Sequence, residues 1–125
     1  MRESTLWFWH LLAGAVILIL LAVHMTIMHL DDLMLLLGLS HGDPIDKEIV
    51  FARSQQFFFM LTYILLLGAA LYHGLYGLRT ILFELTLSRT LEKVVNIILI
   101  VSGLALFAYG AYAAIVIYLM KEVQP

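Results

Sequence analysis

Three runs of apolar residues, each long enough to cross a bilayer as a helix, leave this sequence very few folds to choose from. Crossing about 30 Å of hydrocarbon at about 1.5 Å per residue takes about 20 mostly apolar residues. The runs from Leu6 to Leu30, from Gln56 to Leu82 and from Val94 to Met120 meet that test. Hydrophobic residues make up 63% of the chain and charged residues 13%, against about 45–50% and 25% in soluble domains. The expectation is an all-α integral membrane protein of three transmembrane helices, a single domain over residues 1–125. Once those spans are laid across a membrane there is little left for a catalytic head, so substrate chemistry in water falls to a partner. The first run is too long for a secretory signal and lacks its cleavage site, so it is expected to stay as a helix.

The chain has no cysteine. That removes disulfides, thiolate zinc sites, iron–sulfur ligation within the chain and covalent haem attachment, and leaves histidine as the strong metal ligand. Basic residues are scattered and the net charge is -2, which argues against a nucleic-acid surface.

Ser4 and Thr5 read as N-caps for the first span, and Trp7 and Trp9 suit the headgroup boundary. The connection between the first two spans is net acidic, with a Leu-rich stretch from Leu33 to Leu39 broken by Gly42-Asp43-Pro44. The connection between the last two is short and shares a side with the N-terminus. Arg2, Arg79, Arg89 and Lys93 on that side outnumber Lys47, Arg53 and Lys121 on the other, which places the N-terminus in the cytoplasm by the positive-inside rule. In the third span Gly103, Phe107, Gly110 and Ala114 form a stripe of mostly small residues along which another helix can pack closely.

Histidine at membrane depth is costly unless partnered, so each one there is a functional candidate. His24 lies about 27 Å below the N-terminal side, whereas His73, on a span running the other way, lies about 26 Å from the acidic-loop side. The two are therefore not at one depth. A b-type haem takes two axial imidazoles at the same depth on facing helices, so any opposite ligand for either residue comes from another chain, in a four-helix core built from spans one and two with two helices of a partner. His10 shares the depth of His73 and lies within about 40° of His24 on the helix face. It suits a haem propionate, a quinone carbonyl or simply the wet interface. His29 and His41 read as structural and solvated. Around His73, Gly68, Ala69, Gly74 and Gly77 clear room for a flat macrocycle or a close helix. Arg79 suits a propionate or headgroups. Glu84 lies within about 20° of His73 on the helix face and about 16 Å further along, where it fits proton delivery to a quinone, a partner contact or plain solvation.

The string LYHGLYGLRTILFE, Leu71 to Glu84, resembles the second-helix signature of the cytochrome b anchor subunits of succinate dehydrogenases and fumarate reductases. The first span, FWHLLAGAVILILLAVHM, is similar to that family's first helix, with His10, Gly14 and His24 at the matching positions. The third span is similar only as an apolar helix. The resemblance implies a three-helix anchor in the cytoplasmic (inner) membrane of a prokaryote, holding haem b shared with a second membrane-anchor subunit. It implies axial ligands at His73 and His24, and docking of an iron–sulfur subunit and a flavoprotein subunit on the cytoplasmic face. It also implies electron exchange with a quinone.

Two departures stand out. Several members carry an Asp-Tyr pair just past the second-helix signature, where this chain has Glu84-Leu85, so a phenol for the quinone is missing at that position. The near-N-terminal arginine of many members is also absent, with His10 adjacent to where it would stand. Two other readings remain open at the level of sequence: a haem-free structural anchor, and a haem b subunit of a different quinone-linked oxidoreductase.

Overall fold

A computed structural model describes residues 2–29, 36–38, 52 and 55–120. Its helices are α1, Glu3–His29; α2, Phe57–Phe83; and α3, Arg89–Leu119. All three are long and apolar enough to span a membrane, and no strand occurs among the described residues. At 27, 27 and 31 residues the helices run about 40 to 46 Å, longer than the hydrocarbon they must cross. Their ends therefore reach the headgroups or the water beyond.

The helix ends differ from the sequence expectation in two places. α1 starts at Glu3, because the Arg2 carbonyl accepts from the amides of Thr5 and Leu6, so Ser4 and Thr5 lie inside the first turn and are not its caps. α3 starts at Arg89 rather than Val94. The Ser88 hydroxyl accepts from the Leu91 amide at 3.3 Å, a side-chain N-cap that satisfies a donor the helix leaves open. Arg89, Glu92 and Lys93 are thus helical despite their charge. Of the Leu-rich stretch only residues 36–38 are described. The turn at Gly42-Asp43-Pro44, His41 and the side chain of His29 lie outside the described residues.

The helices form an antiparallel series with α2 in the middle, packed by α1 along one side and by α3 along the other. The α3 stripe meets α2. A Cβ on Gly103 would come within 2.6 Å of Leu75 Cδ1, one on Gly110 would collide with Leu67, and the Phe107 ring lies against Gly68. Small residues let these backbones approach, which is how helices associate where lipid offers no hydrophobic drive. No described residue is fully buried, and large apolar side chains such as Leu18, Ile19 and Leu104 are 72%, 64% and 65% exposed. A row of three helices has no enclosed core, so its apolar surface must meet acyl chains or other chains.

Candidate functional site

On α2 the residues Tyr72, His73, Tyr76 and Arg79 follow one another at helical spacing, and all four reach toward the first turns of α1. The register between the two helices is fixed at the mouth by Glu3. Arg79 bonds its carboxylate through Nη2 to Oε1 at 3.0 Å and through Nη1 to Oε2 at 3.3 Å, and Tyr76 donates its hydroxyl to Oε2 at 3.3 Å. The third arm of the guanidinium, Nε, donates to Asn96 Oδ1 on α3 at 2.7 Å. One planar cation therefore ties all three helices together, using the fork geometry that lysine lacks. Its far face lies over the Phe83 ring at 4.3 Å. One turn deeper, the Tyr72 hydroxyl donates to the Leu6 carbonyl at 2.9 Å.

Below this clamp lies a histidine pair. The rings of His10 and His73 are stacked, with centroids 4.1 Å apart and planes 4° from parallel. His73 Nδ1 is 3.1 Å from the His10 carbonyl oxygen. A carbonyl only accepts, so this bond places the His73 proton on Nδ1 and leaves Nε2 with a free lone pair. Nε2 makes no hydrogen bond to any described residue. Gly14 is where the pair fits most tightly, since a Cβ there would stand 3.1 Å from His73 Cε1, whereas one on Gly77 would make ordinary contact with His10 Cε1 at 3.5 Å. Tyr76 closes the outer side, its ring 5.2 Å from that of His10. His10 Nδ1 is buried and has no hydrogen-bond partner among the described residues. By helical rise the pair sits about 10 to 15 Å inside the ends of α1 and α2, at hydrocarbon depth.

His24 stands apart. It is about 21 Å further along α1 than His10, and its ring meets Tyr63 of α2 edge-on at 6.4 Å, beside Phe58, Phe59 and Thr62. It is half-buried and forms no hydrogen bond among the described residues, so the carbonyl one turn away that could have satisfied it is not used. His24 and His73 thus lie at different depths. Glu84 is the C-cap of α2, exposed, its amide bonded back to the Thr80 and Ile81 carbonyls. Its side chain joins neither the clamp nor the histidine pair. Arg79, which the sequence offered to a propionate or to headgroups, is occupied by Glu3 and Asn96.

Four members of this cluster were not singled out from sequence: Glu3, Tyr72, Tyr76 and Asn96. Asn96 carried a visible signal, a lone amide in an otherwise apolar stretch of α3. Between the helices, beside Arg79 and Asn96, an apolar groove of about 620 Å³ runs inward past Leu75 and Gly103 to Phe107. Among the described residues no three His, Asp or Glu side chains gather as a metal site.

No family model, curated protein or solved structure matches this chain.

Proposed function

We propose that this chain is a haem b-carrying membrane anchor of a succinate:quinone oxidoreductase, a succinate dehydrogenase or fumarate reductase. In this reading it docks the iron–sulfur and flavoprotein subunits and passes electrons to or from quinone. The observation that carries it is the His10 carbonyl bond to His73 Nδ1. Histidines that bind iron characteristically donate the other ring N–H to a carbonyl or carboxylate, which fixes the tautomer and strengthens the ligand. His73 has that bond and hydrocarbon depth, and among the described residues its Nε2 has no hydrogen bond and nothing stands within 4 Å of where a Cβ on neighbouring Gly74 would be. Those features fit a haem ligand. The bound haem would supply one-electron transfer, while this chain's residues hold the ligand's orientation and keep water out.

His73 would hold the haem from this chain and a second membrane-anchor subunit would supply the other ligand, for which the open faces of the helix row leave room. His24 is the proposed ligand of a second haem near the other side of the membrane. The reading also places the chain in the inner membrane of a prokaryote. The N-terminus and the short connection after α2 then face the cytoplasm, where the soluble subunits dock.

The haem-free structural anchor is favoured by one observation, that the stack and the carbonyl bond give His73 polar company without iron. Purification of the chain with its co-purifying subunits, followed by a pyridine haemochrome assay, decides between the two. The expected result is protoporphyrin iron with a bis-histidine spectrum, of which the part belonging to the His73 site is lost in His73→Ala. An intact wild-type complex free of protoporphyrin iron selects the structural anchor.

A further inference from the structure

We propose that His10 is a positioning residue that locks the plane of the His73 imidazole, and that Gly14 is the opening that makes this lock possible. The inference rests on the reading of His73 as a haem ligand for its consequence, but its geometry stands on the chain alone.

In an α-helix the carbonyl of residue i accepts from the amide of residue i+4. Gly14 is the i+4 residue of His10, and a side chain there would cover the His10 carbonyl. With no side chain, the carbonyl's second lone pair is open to the facing helix, and His73 Nδ1 reaches it at 3.1 Å. A Cβ on Gly14 would sit 3.2 Å from that nitrogen and 3.1 Å from Cε1, so the ring would have to give way. The carbonyl bond alone still lets the imidazole swing about the Nδ1···O line. The flat His10 ring, 4.1 Å away and 4° from parallel, removes that freedom. Tyr76 backs the His10 ring from outside, its centroid 5.2 Å away. Two contacts from one residue, one from its backbone and one from its ring, thus fix the two rotations a ligand imidazole has.

For a low-spin haem the orientation of the axial imidazole plane governs the g values, and the hydrogen bond on Nδ1 tunes the potential. Purified complexes of wild type, His10→Ala, His10→Phe and Gly14→Ala are compared by electron paramagnetic resonance and redox potentiometry. The same proteins without haem are compared by the ¹⁵N shifts of labelled histidine, which report the tautomer.

His10→Ala is expected to keep its haem yet shift and broaden the low-field g signal, and His10→Phe, which restores a flat ring, to bring it back toward wild type. Gly14→Ala is expected to change the potential and, without haem, to convert His73 from the Nδ1–H form to a mixture of tautomers. An unchanged g signal and potential in His10→Ala overturns the proposal, and so does a mixed His73 tautomer in the wild-type chain. If the wild-type complex holds no haem, the haem reading fails while the tautomer comparison still decides whether the lock exists.

Discussion

Arg79 grips both carboxylate oxygens of Glu3, at 3.0 and 3.3 Å, across a sequence separation of 76 residues. The pair is only partly shielded, with side-chain exposures of 20% for Arg79 and 67% for Glu3, so its strength is that of an interfacial ion pair rather than a buried one. A double-mutant cycle with Glu3→Gln and Arg79→Gln, read by thermal unfolding in detergent, is expected to give a coupling of about 0.5 to 1 kcal/mol. The coupling should shrink as salt is raised, because exposed charges are screened. Arg79→Gln also forfeits the bond to Asn96, so alone it should cost more than Glu3→Gln.

The contact between α2 and α3 gives a second prediction, one the absence of cysteine makes simple to test. Gly103 and Leu75 face each other so closely that a Cβ on the glycine would meet Leu75 Cδ1 at 2.6 Å. Leu75→Cys combined with Gly103→Cys is expected to be bridged in membranes by a short bis-methanethiosulfonate reagent, since a side chain reaching from residue 75 meets the position of residue 103. Leu75→Cys with Asn96→Cys, one end of the groove away, serves as the poorly crosslinking control. Equal crosslinking of the two pairs, seen as a mobility change on non-reducing gels, would mean that the α2–α3 register is wrong.

These two contacts show what a single sequence could and could not convey. The three spans were legible because hydropathy reports which residues can leave water, and a run of about 20 of them has few other uses. Their ends were less legible, since hydropathy marks the edge of the lipid and not the end of the helix. Arg89, Glu92 and Lys93 are polar and still helical, held by the Ser88 cap. The shared depth of His10 and His73 followed from rise per residue alone. Their stacking did not, because it depends on how each helix is turned about its own axis toward its neighbour. For the same reason Glu3, Tyr72, Tyr76 and Asn96 went unnoticed: each earns its place only through a partner on another helix.

Thr86 predicts a stabilising change. It sits in the short connection between α2 and α3 with φ 53, the left-handed region where a Cβ crowds the carbonyl and costs about 1–2 kcal/mol. Thr86 is exposed and its side chain makes no hydrogen bond among the described residues, so little is lost by removing it. Thr86→Gly is expected to raise stability by about 0.5 to 1 kcal/mol, the relief being offset in part by the freer unfolded glycine. Thr86→Asn should fall between the two, as asparagine tolerates this region better than a β-branched residue. Thermal unfolding of the three proteins in one detergent checks the order, and a Thr86→Gly protein less stable than the parent would contradict it.

The separation of His24 from His73 turns the question of haem number into a matter of single substitutions. His24 lies near the far end of α1 against Tyr63, and His73 lies beside His10 near the start of that helix. Too far apart to share an iron, the two cannot substitute for one another as ligands. If each holds its own haem, His24→Ala and His73→Ala should each halve the haem counted per flavin, and the two remaining spectra should sum to that of the parent. The Tyr63 edge contact and half-buried setting of His24 leave its packing largely intact in His24→Gln, which keeps a polar side chain without an imidazole. A full haem complement in His24→Gln would restrict the complex to the single site at His73. Loss of both haems in either variant would mean that the two sites are not independent, and that the row of helices needs one loaded site to assemble with its partner.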